Sequence, residues 1–429
     1  VEATRRNAAT AGVDHLIDFH VCDFAETPLQ DSPGIIILHG EYGRRLGVVR
    51  QRMAISGIDL LYVTNPDHIC YLSGYQAEWF QEGGPKTWSG TSGIAVHVDH
   101  DHYIHFENED EKLNAEYTTW PDHLRIMPEH DISAGFSDWV VSDLADQGWI
   151  GKTVGLEYYS YRPNPADSAQ LTALFEARDA SVVDGSQAVA DARLLKSPAE
   201  HEVIREAARI GDIGLRAGLD NIRAGMTELD VYAEIVYAMA KTGGENPAIT
   251  LPVVSGRKSA CFHALASRKK IEPGDIVNID VCGVYRRYHS DVCRTVSIGE
   301  PHKAVSGYIA HITGALDVAR RLIKPGLSVQ TFIDEMKRYY ADCGLLENQW
   351  WIGGYELGIS FPPDWVGAYY FDGWKDSGKD TFDPGFVSNY EANFYLPKDA
   401  GLSCFIDTMI FEKDGASFIH DIAPDLHVV

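Results

Sequence analysis

Positive charge is scarce in this chain of 429 residues: 37 Lys and Arg stand against 62 Asp and Glu, for a net charge of −25. That deficit excludes nucleic acid and anionic membrane surfaces as expected partners, since both are held by a basic face. Long apolar runs are missing as well. A stretch such as Ile35-Ile36-Ile37-Leu38 is far short of the roughly 20 residues a bilayer crossing takes, and no apolar signal core stands near Val1. The seven cysteines are scattered, odd in number and without any Cys-x-x-Cys pair, so they read as reduced thiols in a cytoplasmic protein. What remains is an ordinary globular composition, 45% hydrophobic and 23% charged. A chain of this length exceeds one core, and two domains are expected.

Along the chain, residues 1–41 read as an N-terminal arm broken at Pro33-Gly34. From 42, Leu46, Val49 and Met53 repeat at helical spacing. Short apolar runs (58–63, 93–98, 103–106, 124–127, 154–157 and 181–183) then alternate with helical segments near 134–147 and 165–177. That alternation predicts a mixed α/β domain over 42–190. Within it, Val96-His97-Val98-Asp99-His100-Asp101-His102-Tyr103-Ile104-His105 resembles no closed zinc pattern and reads as a solvated hairpin with His97, Asp99 and His105 on one polar face. Ser197-Pro198-Ala199-Glu200 is a capping box with proline at the first helical position, opening a second domain over 191–429.

The chemistry concentrates between Ser255 and Thr295. His263 lies in a small-residue loop. Pro273-Gly274-Asp275 then leads into an apolar strand ending on Asp280, and Asp291 follows on a second strand. A hairpin of that length returns both carboxylates to one pocket, a pattern suited to a divalent cation or to acid–base work. The second domain also repeats itself. Ala224-Gly225-Met226-Thr227 with its following helix recurs as Pro325-Gly326-Leu327-Ser328, and Pro273-Gly274…Asn278-Ile279-Asp280 recurs as Pro384-Gly385…Asn389-Tyr390-Glu391. Two related halves put Asp280 and Glu391 at matching places, each with a later acid, Asp291 and Asp407. Four converging carboxylates require a cation, a positive substrate group or bound protons.

These motifs resemble the pita-bread superfamily of creatinase, prolidase and methionine aminopeptidase. The likeness covers about 42–420 and is most specific in the stretch from Asn278 to Thr295, in Gly354-Tyr355-Glu356-Leu357-Gly358 and in Ile406-Asp407-Thr408. It implies an α/β fold: a creatinase-like N-terminal domain followed by a duplicated catalytic domain. In the family's metallopeptidases two aspartates, a histidine and two glutamates hold two metals. Asp280, Asp291 and Glu391 match three of them, whereas Tyr355 stands for the histidine and Ile406 for the last glutamate, with Asp407 beside it as a substitute ligand. The resemblance therefore implies either no cofactor or one to two divalent cations (Mn, Fe, Zn or Co) at a degenerate site. Gly354-Tyr355 followed by Phe361-Pro362-Pro363-Asp364-Trp365 is similar to the ectoine hydrolase and creatinase type of member, which work without metal.

By that resemblance the chain is expected to hydrolyse a C–N bond of a small amidine, guanidino or amide compound. His263 serves as general acid/base, Glu391 acts on the attacking water and Tyr355 donates to a developing oxyanion. Glu356, Trp365 and Asp407 are expected at the substrate. The resemblance also implies a homodimer in which Trp79 and Phe80 of the N-terminal domain reach the other subunit's site. The alternatives are a metal-dependent Xaa-Pro dipeptidase or aminopeptidase, a dimethylsulfoniopropionate-lyase-like enzyme, and a non-catalytic binding protein.

Overall fold

The computed structural model describes residues 39–77, 92–119, 124–128, 135–261, 263–373 and 381–429. Trp79, Phe80 and most of the expected arm lie outside the described residues. The first helix is His39–Ser56, beginning three residues before the 42 read from periodicity.

The first sheet runs β1 Leu60–Val63, β2 Gly93–His97, β3 Tyr103–Asn108, β4 Leu124–Met127, β5 Thr153–Leu156 and β6 Ser181–Asp184, in spatial order β4-β3-β2-β1-β5-β6. β1 is wholly apolar because both of its faces are covered. Leu61 and Val63 join Leu46, Val49 and Met53 of the first helix. Leu60 and Tyr62 turn to Val140 and Leu144 of helix Phe136–Asp146 and Phe175 of helix Pro165–Glu176. The histidine-rich turn holds no metal pattern: the rings of His97, His100 and His102 gather on Trp149. His105 departs from the sequence reading. It is fully buried with its ring against Tyr75 rather than on a polar face, because β3 packs on both sides and the alternation of its side chains carries no solvent signal.

Position 190 falls inside helix Ser186–Leu194, and the chain passes to the second domain through Leu195-Lys196-Ser197. Ser197 and Glu200 form the expected capping box on helix Pro198–Asn221, worth about 1 kcal/mol. The same Glu200 enters a buried lock between domains. Tyr288 Oη donates to its Oε1 at 2.8 Å, and Arg45 Nη2 donates to that phenol at 2.7 Å.

The second sheet has nine strands among the described residues. Its path is β14 Tyr370–Asp372, β13 Gln349–Tyr355, β16 Val387–Tyr395, β17 Leu402–Glu412, β11 Val292–Ser297, β8 Ile276–Val281 and β7 Val253–Ser255, with β18 Gly415–Phe418 on β17 and β19 His427–Val428 on β11. Two short ladders, β9 Val284–Tyr285 with β10 Tyr288–His289 and β12 Leu327–Ser328 with β15 Thr381–Phe382, complete it. The sequence repeat is a structural one. Gly225 and Gly326, then Gly274 and Gly385, take positive φ at equivalent turns. Thr227 and Ser328 cap helices Glu228–Lys241 and Val329–Asp342. The two halves meet where β11 pairs antiparallel with β17.

Candidate active site

The site grows from one cross-strand row. Asp280 on β8 pairs with Cys293 on β11, Cys293 with Ile406 on β17, and Ile406 with Glu391 on β16. Residues in register share a face, so Asp280 and Glu391 flank Cys293 and Ile406, as the repeat predicted. Asp291 stands one residue ahead of β11, after the tight turn in which Arg286 and Arg287 both take positive φ. At Gly283 a Cβ would meet Ala207 O at 2.0 Å, so only glycine lets helix Pro198–Asn221 lie against this hairpin. The backbone of Asp291 is fixed from behind. Its N–H donates to Thr408 Oγ1 at 2.8 Å, the Thr408 hydroxyl faces its carbonyl at 3.0 Å, and His420 joins that hydroxyl to Asp212.

The three carboxyl groups are buried together. Asp280 and Asp291 face each other at close quarters, and each keeps one buried carboxyl oxygen without a partner. Burial, then the charge of Asp291, raises Asp280 well above the usual carboxylate range. Burial also raises Asp291, opposed by donors from Asn389 and Tyr355. Glu391 is pushed up to about 8, by burial first and then by Asp291. Environments that differ in this way separate acid from base. All three are shifted toward the neutral form, Asp291 against donors from Asn389 and Tyr355 and Glu391 against donors from Asn389 and Asn393.

Tyr355 Oη donates to Asp291 Oδ2 at 2.9 Å and accepts from Trp365 Nε1 at 3.0 Å. Its single proton is directed to Asp291, so in this arrangement the phenol is not turned outward as the oxyanion donor expected from sequence. Burial and the neighbouring acids raise the phenol further, so it stays protonated. The loop carrying Trp365 is clamped from both domains. Asp67 accepts from Phe361 N at 2.9 Å, Arg193 reaches the Ile359 carbonyl, and Arg287 Nη2 donates to Ser360 O at 2.7 Å.

Two expected site residues lie elsewhere. Asp407 is the neighbour of Ile406 on a strand, so it faces the opposite side of the sheet, where its Oδ2 takes Arg294 at 3.1 Å and Arg320 at 3.4 Å. Asp407 therefore does not stand in for the missing ligand beside Ile406. Glu356 is not free for substrate; it is paired with the buried Lys196 and accepts from Ala368 N. His263 is exposed, its ring 5.5 Å from Trp350. Trp350 in turn packs on the patch of Cys293, Leu402, Cys404 and Ile406, which lies between Asp280 and Glu391. Asn389 and Asn393, which grip Glu391 at 2.9 and 2.7 Å, were missed by the sequence reading. Their signal is the alternation Asn-x-Glu-x-Asn across 389–393, which places three polar side chains on one face of a buried strand.

The fit to a metal centre is mixed in its parts and negative in sum. Asp280 Oδ1 and Asp291 Oδ1 are buried without partners, as oxygens awaiting a ligand are. Against this, Ile406 and Tyr355 offer no carboxylate or imidazole, Asp407 points away, and among the described residues no three His, Cys, Asp or Glu side chains converge on one ion. The residues do not fit a dinuclear metal centre.

The raised acids make stability fall with pH. Glu391, about 8 when folded against 4.5 for an unperturbed glutamate, holds its proton longer in the native state. Its contribution is therefore present below about pH 4.5 and lost as pH rises through about 8. We expect the thermal midpoint to fall across that window, and Glu391→Gln to flatten the slope; an unchanged slope in differential scanning calorimetry would count against a neutral Glu391.

A two-domain α/β protein whose second domain folds two repeats around a central pocket of acids is a pita-bread architecture. The metallopeptidase family M24 model matches residues 202–422 and the creatinase/prolidase N-terminal domain model residues 45–195. The chain belongs to metallopeptidase family M24. It is similar to the Xaa-Pro dipeptidase of Pyrococcus horikoshii, 29% identical over 228 residues, or 53% of this chain and 63% of that relative. The chain thus spans less than two thirds of that relative's length. It is also similar to the ectoine hydrolase of Halomonas elongata, 26% identical over 417 residues, covering 90% of this chain and 97% of that one. In fold it matches the Xaa-Pro dipeptidase from Bacillus anthracis with TM-score 0.75 and 22% identity, over 90% of this chain and 100% of that one. No helix among the described residues is long and apolar enough to cross a membrane.

Proposed function

We propose that this chain is a hydrolase of a small C–N compound, an amidine, guanidino compound or amide, that works through proton transfer between buried carboxyl groups. The observation that carries this is the Asp280–Asp291 pair: buried together, each with one carboxyl oxygen that no protein group satisfies. A water or substrate between those two oxygens completes the arrangement.

Water attacks the carbon and gives its proton to Asp291, while neutral Glu391 donates to the heteroatom on which charge develops. The C–N bond then breaks with its electron pair on nitrogen, which takes a proton from the exposed His263, while the re-forming C=O bond returns a proton to Glu391. Proton transfers of this kind each supply on the order of 10²–10⁴ in rate. Trp350 with Cys293, Leu402 and Ile406 provides an apolar floor for a compact ring or chain. Support comes from the likeness to an ectoine hydrolase along nearly the whole of both chains.

A second reading, Xaa-Pro dipeptidase activity, is favoured by the family and by the likeness to the Pyrococcus enzyme. One panel separates them: ectoine, creatine and other small amidines against Gly-Pro and related dipeptides, each before and after chelation and with added Mn²⁺ or Co²⁺. The proposal expects turnover of a small amidine or amide that survives chelation and falls about 10²-fold or more in His263→Ala. Dipeptide turnover that appears only with added metal establishes the second reading and removes the first.

A further inference from the structure

The Asn389 side chain sits where a bridging cation belongs. Its Nδ2 lies 2.7 Å from Asp291 Oδ2 and 2.9 Å from Glu391 Oε1, one amide hydrogen for each carboxyl. The orientation is fixed by chemistry: its Oδ1 accepts from the backbone N–H of Tyr355 at 2.8 Å, a group that only donates, so the nitrogen must face the acids. A divalent ion bridging those same oxygens would lie about 2.0–2.2 Å from each, in space this nitrogen fills.

The remaining oxygens bear this out. Glu391 Oε2 accepts from Asn393 Nδ2 at 2.7 Å, so both oxygens of Glu391 are capped by amide hydrogens. Asp291 Oδ2 carries a second donor, the Tyr355 phenol. Of these four carboxyl oxygens only Asp291 Oδ1 has no donor. A cation placed between Asp291 and Glu391 would have to displace the Asn389 amide, whose other end is held by the backbone N–H of Tyr355.

We infer that Asn389 is an internal substitute for a metal ion: its amide links Asp291 to Glu391 and keeps divalent cations out of the carboxyl cluster. An NH₂ group carries only partial positive charge, so it joins the two acids without allowing all of them to ionise, and protons supply the rest. The inference does not depend on which C–N substrate the chain takes.

The test reads metal rather than turnover. The whole chain, stripped by chelation and dialysed, is titrated with Mn²⁺ by calorimetry, and metal content is measured after gel filtration. Wild type is expected to retain no Mn²⁺. Asn389→Asp, which replaces the amide by a third oxygen ligand between Asp291 and Glu391, is expected to bind one ion per chain roughly a hundredfold more tightly than wild type, and to lose it when Asp291→Asn is added. Asn389→Ala, which only vacates the space, is the second variant should the first fail to fold, and it too should bind Mn²⁺ more tightly than wild type. Stoichiometric Mn²⁺ in wild type, abolished by Asp291→Asn, overturns the inference. So does an Asn389→Asp or Asn389→Ala protein, folded by circular dichroism, that binds no better than wild type.

Discussion

Asp291→Asn should abolish turnover, by about 10²–10⁴-fold or more, while leaving the fold as stable as wild type or more so. The asymmetry follows from the local structure. An asparagine is nearly isosteric, and its carbonyl oxygen can still accept from Tyr355 and Asn389, which now bond Asp291 Oδ2. Its amide can donate toward Asp280, whose Oδ1 has no partner. The substitution therefore removes a buried negative charge and adds a donor, and both changes favour the folded state, the more so as rising pH begins to ionise the neighbouring acids. Activity on the substrate the panel identifies, read beside the thermal midpoint at pH 8, checks both halves. Wild-type turnover in Asp291→Asn would sink the carboxyl mechanism. A large loss of midpoint would mean that the charge on Asp291 holds the site together, as it does in a metal centre.

Much of this was legible in the sequence, and for identifiable reasons. The duplication was visible because each half needs the same devices: a glycine at positive φ, a hydroxyl cap, and an apolar strand ending on an acid. Asp280 and Glu391 followed at once, because residues at matching places in a repeat share a row when the halves pair. Asp291 followed from hairpin length. What the sequence could not show was direction across a strand. Ile406 and Asp407 differ by one position, and on a strand buried on both faces no polar alternation marks which one meets the site. Glu356 was misplaced for a related reason, since its partner Lys196 is distant in sequence. Asn389 and Asn393 escaped because amides carry no charge and match no ligand pattern, though both bond Glu391 and oppose the upward shift that burial imposes on it. His105 shows the same limit in the first sheet, a histidine whose setting is defined by Tyr75 on another element.

Asp407→Ala brings the strand-direction argument to a measurement. Asp407 is fully buried, and Arg294, equally buried, donates to its Oδ2 while also holding the carbonyls of Cys293, Ile406, Ile422 and Ala423. That guanidinium ties the C-terminal segment beneath β11 and β17, the two strands on which the repeats meet. Removing the carboxylate leaves a buried cation short of its counter-charge, which typically costs about 3–5 kcal/mol, a large share of a domain's stability. Asp407→Asn keeps the shape and an oxygen acceptor but not the charge, and should fall between the two. Urea unfolding monitored by tryptophan fluorescence gives the cost. Below the transition both folded variants should turn over substrate at close to the wild-type rate, because Asp407 faces away from the pocket. A stable Asp407→Ala protein with lost activity would instead put this carboxylate in the site and overturn the assignment of faces on β17. The contrast with Asp291→Asn, where activity falls and stability does not, separates the acids that do the chemistry from the acid that holds the sheet.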